Sequence, residues 1–459
     1  MTARLVVAGT HSGVGKTTVA TGLMAAFAAR GRKVAGFKVG PDFIDPSYHA
    51  LACGRPGRNL DAFLSGTELI APLFAHGAAG ADLAVVEGVM GMFDGATGSG
   101  ELASTAQVAK LLRAPVLLVV DCAAMARSAA AVVHGFAGFD PDVHLAGLVL
   151  NRVASDRHEQ LLREALDPLS IPVLGVLRRQ PALATPERHL GLVPAAERRA
   201  AAQRTVTGLG AAVAEACDLR AVAAIAAAAA PLTSTPWDPR AGHPARGPVD
   251  APAGPVRIVV ASGPAFTFRY QENLELLEAA GAELLPLDPV ADESLPARAN
   301  ALYLGGGFPE TFAEDLAANQ PLRAAVRRLA AGGAPVVAEC GGLLYLGRSL
   351  DGQPMCGVLP SDARMTGRLT LGYRRATAGA PSVLAEAGTA VRGHEFHYSR
   401  VEPAGGVKPA WLLDGERAEG FVAGGVHASY LHTHWAAFPE LPERLVAAAR
   451  REAVACVAG

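Results

Sequence analysis

Cys340 lies in the run Ala338-Glu339-Cys340-Gly341-Gly342-Leu343, directly after the apolar stretch Ala334-Pro335-Val336-Val337. A cysteine between a buried strand and a Gly-Gly turn into a helix reads as a nucleophile elbow. The sharp turn lifts the sulfur out of the sheet, and the helix N-terminus favours the thiolate. A second site is expected near the other end of the chain. There the run Gly9-Thr10-His11-Ser12-Gly13-Val14-Gly15-Lys16-Thr17-Thr18 follows the first apolar stretch and opens a helix, the context of a phosphate loop. The backbone around Gly13 and Gly15 would cradle phosphates at the helix N-terminus. Lys16 would reach the β- and γ-phosphates, the Thr17 hydroxyl would take Mg²⁺, and Thr18 completes the motif. Five residues rather than four separate Gly9 from Gly15. A thiol nucleophile and a nucleotide site on one chain point to two coupled half-reactions.

Two further segments lie at strand C-termini, where an open α/β sheet binds its ligands. Phe37-Lys38-Val39-Gly40-Pro41-Asp42-Phe43-Ile44-Asp45-Pro46 sets one cation and two carboxylates just past a strand. Val86-Glu87-Gly88-Val89-Met90-Gly91-Met92-Phe93-Asp94-Gly95 sets Glu87 at a strand end and Asp94 in a glycine-rich loop. Glu87 and one of the Asp residues, Asp45 in the assignment adopted, would complete a Mg²⁺ shell with Thr17. Lys38 would neutralise charge that develops during phosphoryl transfer. The competing account makes such acids loop caps, common for Asp beside Gly and Pro. Asn151, after the strand Gly147–Leu150, is read as reaching an adenine edge or as forming a turn.

In the C-terminal half, Gly305-Gly306-Gly307-Phe308-Pro309-Glu310 follows the strand Ala301–Leu304 and permits close backbone approach to a ligand. The N–H groups of Gly307 and Gly341 would form an oxyanion hole. Downstream, His427, His432 and His434 cluster; His432 and His434 would point to the same face of a strand, and a histidine there is a candidate to take the Cys340 proton. The polar and aromatic segment Arg392–Arg400 would either line this site or form an edge strand.

Apolar strands at Leu5–Ala8, Lys33–Lys38, Leu83–Glu87, Pro115–Val120, Leu145–Leu150 and Pro172–Val176 alternate with helices or long loops. This is the βαβ pattern of a parallel sheet covered on both faces. The chain has 459 residues, too many for one core. Residues 1–230 are expected to form a phosphate-loop α/β domain. Residues 231–255 form a Pro/Ala/Gly-rich linker, and residues 256–459 a second α/β domain opened by the strand Val256–Ala261. Net charge is −2, which gives no electrostatic case for nucleic acid or an anionic membrane. Mean hydropathy is +0.24, largely from alanine, and no apolar run reaches membrane-spanning length. The first strand leaves no room for a signal peptide, so a cytoplasmic location is expected. The six cysteines are scattered without a CxxC pair, so neither a zinc site nor a disulfide framework is indicated.

Taken together, Phe37–Pro46, Glu87–Gly95, Gly305–Glu310, Glu339–Leu344, Gly393–Ser399 and Ala428–His434 resemble the signature segments of the cobyrinic and hydrogenobyrinic acid a,c-diamide synthases, in the same order and over nearly the whole chain. The N-terminal half is similar to dethiobiotin synthetase, whose glycine loop has the same extra residue. The C-terminal half is similar to the triad-type (class I) glutamine amidotransferases. The resemblance implies that Cys340 attacks glutamine and releases ammonia, while ATP and Mg²⁺ activate corrin acetate groups as acyl phosphates. It places the catalytic His at His432, in Tyr430-Leu431-His432, and substrate- or metal-contacting residues at Asp42, Phe43, Asp45 and Asp94. A homodimer is an expectation of the family alone. In ordinary triad glutaminases an acid lies two positions after the His, and here that place is His434. A Cys–His dyad, or a third member from elsewhere, is therefore expected. The rival assignments are a cobyric acid synthase, which amidates other corrin side chains, CTP synthase, whose characteristic N-terminal loop is not seen, and a partition-type ATPase switch with a degenerate thiol domain. Such switches usually carry an early loop lysine, where this chain has His11 and Ser12.

Overall fold

A computed structural model describes residues 2–179, 187–188, 191–192, 195–241, 256–415 and 417–458. The chain divides into two compact units, Met1–Trp237 and Asp238–Gly459.

The first unit is built on strands β1 (Ala3–Gly9), β2 (Val34–Val39), β3 (Arg58–Leu60), β4 (Leu83–Glu87), β5 (Val116–Asp121), β6 (Leu145–Val153) and β7 (Val173–Arg178). They form one seven-stranded sheet in the order β3-β2-β4-β1-β5-β6-β7, with every pairing parallel. Strands β2 and β4 are buried at every position, as an apolar, β-branched strand must be when helices cover both faces. The sheet order places the C-terminal ends of β2, β4 and β1 side by side. These are the ends that carry Lys38, Glu87 and the glycine loop. The loop feeds helix α1 (Lys16–Ala28), and the segment after β2 feeds helix α2 (Ile44–Cys53).

The chain beyond Pro231 continues along this first unit. Trp237 N donates to Pro72 O at 2.9 Å, and its ring meets His76 edge-on at 5.1 Å. The stretch 242–255 of the expected linker lies outside the described residues.

The second unit carries two sheets. Strands β8 (Val256–Ala261), β9 (Ala282–Leu287), β10 (Ala301–Leu304), β11 (Val336–Glu339), β14 (Phe421–Ala423) and β15 (Val426–Ser429) pair in the order β9-β8-β10-β11-β15-β14. All pairings are parallel except that of β14 with β15. The second sheet is centred on a long hairpin, β12 (Asp362–Ala378) and β13 (Ala390–Glu402), with the short strand β16 (His432–Thr433) on the far side of β13. The hairpin register shifts between Met365 and Thr370, a bulge that bends β12. β13 pairs with β12 on one side and, at Gly393 and His394, with β16 on the other, so the start of the Arg392–Arg400 segment is interior to its sheet.

No helix among the described residues is long and apolar enough to cross a membrane.

Candidate active sites

In the first unit the phosphate loop closes into α1 through Gly15, whose φ of 97° lies in the left-handed region that favours glycine. Lys16 Nζ donates to His11 O at 3.0 Å and to Met90 O at 2.5 Å, which curls the side chain back over the loop. Burial, followed by the charge of Lys38, lowers Lys16 to about 8. Thr17 Oγ1 donates to Glu87 Oε1 at 2.6 Å and approaches Asp45 Oδ2 at 3.5 Å. Thr18 is half-buried in the first turn of α1.

Lys38 Nζ bridges Asp45 Oδ2 at 2.6 Å and Glu87 Oε1 at 2.8 Å, and also donates to Gly88 O at 3.0 Å. Burial opposes the Lys38 charge, but Asp45 and Glu87 more than offset it and raise its ammonium. Burial likewise opposes ionisation of Glu87, and Lys38 with His49 overrides it, holding that carboxyl well below the usual range. Asp45 goes the other way despite its ion pair: burial, then Asp42 and Glu87, push it well up. One lysine is thus shared between two buried acids on this side of the loop. A hydroxyl and two carboxylates converging there are the hard oxygen donors that Mg²⁺ takes alongside phosphates and water. No cage of three or more His, Cys, Asp or Glu exists among the described residues. A phosphate-bound Mg²⁺ does not require one.

Two residues escaped the sequence reading. His49 on α2 donates from Nε2 to Glu87 Oε2 at 2.6 Å and fixes that carboxylate from behind. Arg152, at φ 59°, donates to Gly13 O at 2.9 Å while pairing with Asp121 at 2.6 Å.

Asn151 contacts the phosphate loop. Its Nδ2 donates to Val14 O at 2.8 Å and its Oδ1 accepts from Arg152 N at 2.9 Å. A β-carbon on Gly15 would collide with the Asn151 amide. The amide nitrogen thus braces the phosphate loop at Val14, while the amide oxygen holds the N–H of the next residue. Asp42 and Asp94 also behave as loop residues. Asp42 Oδ1 accepts from Ile44 N at 2.7 Å, and Asp94 Oδ2 accepts from Gly91 N at 3.0 Å. Phe43 is buried at the start of α2.

In the second unit, Cys340 follows β11 at φ 47° and ψ −102°, a strained conformation for a non-glycine residue. That strain is the mark of a nucleophile elbow. Its N–H donates to Ser429 O at 2.8 Å, tying the elbow to the end of β15. Sγ lies 3.9 Å from Phe396 O on β13. Gly342 N donates to Gly305 O at 3.1 Å, and a β-carbon on Gly341 would sit 3.0 Å from Gly307 N. The triple-glycine loop therefore lies against the elbow. The expected thiolate is not what the resting site favours. Burial, then the charge of Glu310, raises the Cys340 thiol, with the Gly341 N–H acting in the opposite direction. The following helix, Gly341–Leu346, has only six residues, and its dipole does not override desolvation.

His432 is fully buried. It pairs in register with His394 on β13, and the two rings stack at 5.0 Å. A β-carbon on Gly306 would collide with the His432 ring, so glycine there is what lets the imidazole approach the triple-glycine loop. Burial, then His394 and His397, lower His432 well below the ordinary histidine value. A neutral imidazole at neutral pH is the form able to take a proton. His434 lies against Tyr270 at 4.8 Å, with Nε2 3.5 Å from Glu272 Oε2. His397 stacks on Tyr430 at 3.7 Å. The His394–Ser399 segment thus lines the thiol site.

Comparison with known proteins agrees with both halves. Residues 5–193 match the CobQ/CobB/MinD/ParA nucleotide binding domain, and residues 257–440 match the CobB/CobQ-like glutamine amidotransferase domain. A hydrogenobyrinate a,c-diamide synthase of Streptomyces coelicolor is 57% identical, covering 96% of each chain. One from Thermobifida fusca is 51% identical over 97% of this chain and 96% of its own. A cobyrinate a,c-diamide synthase of Synechococcus is 43% identical over 97% of this chain and 98% of its own. Two site-bearing α/β units joined in this order, with relatives of this similarity over almost their whole length, place the chain in the hydrogenobyrinate and cobyrinate a,c-diamide synthase family.

Proposed function

We propose that the protein is a glutamine-dependent ligase that amidates the a and c acetate carboxylates of a corrin precursor in cobalamin biosynthesis, using ATP and Mg²⁺. The observation that carries this reading is the full-length similarity to relatives of that name on a chain that holds both a phosphate loop and a thiol elbow. Hydrogenobyrinic acid is the favoured substrate, because the 51–57% identical relatives bear its name and the cobyrinate relative stands at 43%.

In the glutaminase unit, Cys340 Sγ attacks the side-chain carbonyl of glutamine while its proton passes to His432. The Gly307 and Gly341 N–H groups face the oxyanion. His432 then returns the proton to the leaving nitrogen, ammonia departs, and water hydrolyses the glutamyl thioester to glutamate. In the ligase unit, the Gly13–Gly15 backbone and Lys16 hold the β- and γ-phosphates, with Asn151 and Arg152 bracing the loop. Bound Mg²⁺ would be held by Thr17, Asp45 and Glu87 and would neutralise charge on the phosphate oxygens. Lys38 and His49 orient the two carboxylates. The substrate acetate displaces ADP from the γ-phosphorus to give an acyl phosphate. Ammonia then attacks that carbonyl and expels phosphate. Two turns consume two ATP and two glutamine. Both co-substrates are cytoplasmic metabolites, which supports a cytoplasmic location.

The test is mass spectrometry of products from purified protein with ATP, Mg²⁺ and glutamine, run in parallel on hydrogenobyrinic and cobyrinic acids. Two amide substitutions and no more, with the metal-free acid preferred, is the expected result. Further amidation would replace this reading with the cobyric acid synthase one. ATP hydrolysis with no product on either acid would support the ATPase switch.

A further inference from the structure

The segment Ser429–Thr433 carries His432 between two buried carboxylates. At its start, Ser429 Oγ donates to Glu419 Oε2 at 2.5 Å and Tyr430 N donates to Glu419 Oε1 at 2.8 Å. At its end, Thr433 N and Thr433 Oγ1 donate to Glu339 Oε1 at 3.2 and 2.9 Å. Glu339 Oε2 accepts from Tyr303 OH at 3.1 Å, so its other oxygen is anchored on β10. Glu339 is also the residue before the nucleophile, and Cys340 N returns a hydrogen bond to Ser429 O at 2.8 Å. Two restraints therefore connect the sulfur-bearing elbow to the imidazole-bearing segment, Glu339 to Thr433 and Cys340 N to Ser429 O, and Glu419 fixes the start of the segment. Trp435 Nε1 donates to Thr433 Oγ1 at 2.8 Å and Asn273 Nδ2 to Thr433 O at 2.9 Å, which closes the network.

We propose that Glu339 and Glu419 are positioning residues of the thiol site, clamping the backbone on either side of His432 so that its ring stays aligned with Cys340. The inference rests on the assignment of Cys340 and His432 as nucleophile and base. The clamp acts on the main chain that bears the ring, whatever groups the ring itself touches. Buried carboxylates suit this task. A carboxylate accepts two backbone or hydroxyl donors in a fixed fork, and burial makes each of those bonds costly to break. The sequence gives an independent reason to look for such a restraint, because the position two residues after His432 is a histidine and not an acid. Glu339 precedes the nucleophile, and Glu419 lies 13 residues before His432. Both are buried.

The test compares Glu339→Gln, Glu419→Gln, Thr433→Val and Thr433→Ser in the full-length protein, with Cys340→Ala as reference. Glutamine hydrolysis and ammonia-driven amidation are measured on the same preparations. Thr433→Val is nearly isosteric and keeps the question open to refutation where a carboxylate variant fails to fold. The expected result is a glutaminase kcat about 10²-fold lower in Glu339→Gln and Thr433→Val, the scale of a displaced catalytic group. KM for glutamine should stay within about threefold, the ammonia-driven rate should be retained, and Thr433→Ser should recover most of kcat. Wild-type glutaminase kcat in folded Thr433→Val and Glu339→Gln would overturn the clamp. So would a loss confined to KM, or an equal loss of the ammonia-driven rate. Glutamine use by Cys340→Ala would instead overturn the underlying thiol assignment.

Discussion

Lys38 on β2 reaches across to β4 and places Nζ 2.8 Å from Glu87 Oε1, with both side chains buried. The same nitrogen holds Asp45 at 2.6 Å. This pairing helps set the electrostatics of the ligase site, because one buried cation holds two buried acids. Replacing it by an apolar side chain of similar length removes the cation that both acids share and leaves Glu87 with His49. Lys38→Met should lose about 3–5 kcal/mol of stability, the usual consequence of removing one partner of a buried ion pair. Chemical denaturation checks this, and an unchanged midpoint would show that the acids are solvated.

Lys16 and Lys38 should differ sharply towards an amine-acylating reagent. Lys16 is lowered to about 8 by burial and by Lys38, so raising the pH through 8 converts it to the reactive free amine. Lys38 is raised above the ordinary lysine range and stays protonated. In nucleotide-free protein at about pH 8.5, peptide mapping should find Lys16 modified ahead of surface lysines and Lys38 unmodified, with ATP protecting Lys16.

Asn151→Ala distinguishes a loop brace from an adenine reader. Loss of the hydrogen bond to Val14 should raise KM for ATP by about tenfold, near 1.4 kcal/mol, and leave the preference for ATP over GTP as it was. A relaxed base preference would restore the adenine reading.

Glu339 gives a signed pH effect. Burial raises it from 4.5 to about 7, so between those values the unfolded chain has lost the proton that the folded protein still binds. The contribution to stability is therefore full below about pH 4.5, declines as pH rises through this window, and levels off above about 7. Glu339→Gln lacks this titration. The unfolding free energy of the wild type minus that of the variant should fall between about pH 5 and pH 7.5, and a flat difference would refute the buried ionisation.

Much of both sites was legible because it depends on local punctuation. The Ala338–Gly342 turn after an apolar strand announced the elbow, and the glycine loop before a helix announced the phosphate site. The strands Leu83–Glu87, Val256–Ala261 and Ala301–Leu304 have the bounds read from the sequence. What escaped depends on register between distant segments. His49 matters only because α2 packs against β2, the neighbour of β4, and Glu339 only because β11 pairs with β15 and the chain then turns into β16. The long hairpin β12–β13 was not foreseen as a sheet, since its strands mix polar and apolar residues without clean alternation. The burial that raises the Cys340 thiol was not legible for a different reason. A Gly-Gly turn shows that a helix begins but not that it is one and a half turns long, nor that the sulfur is buried.

The central claim is that one chain runs two separable half-reactions, ammonia release at Cys340 and acyl-phosphate amidation at the Lys16 loop. The most direct measurement is the product mass formed by wild type, Cys340→Ala and Lys16→Ala, each supplied with ATP, Mg²⁺ and the corrin acid and either glutamine or free ammonia. The account predicts the diamide from wild type with both nitrogen sources, from Cys340→Ala with ammonia alone, and from Lys16→Ala with neither. A folded Cys340→Ala protein that still uses glutamine, or a folded Lys16→Ala protein that still forms the diamide, would contradict it.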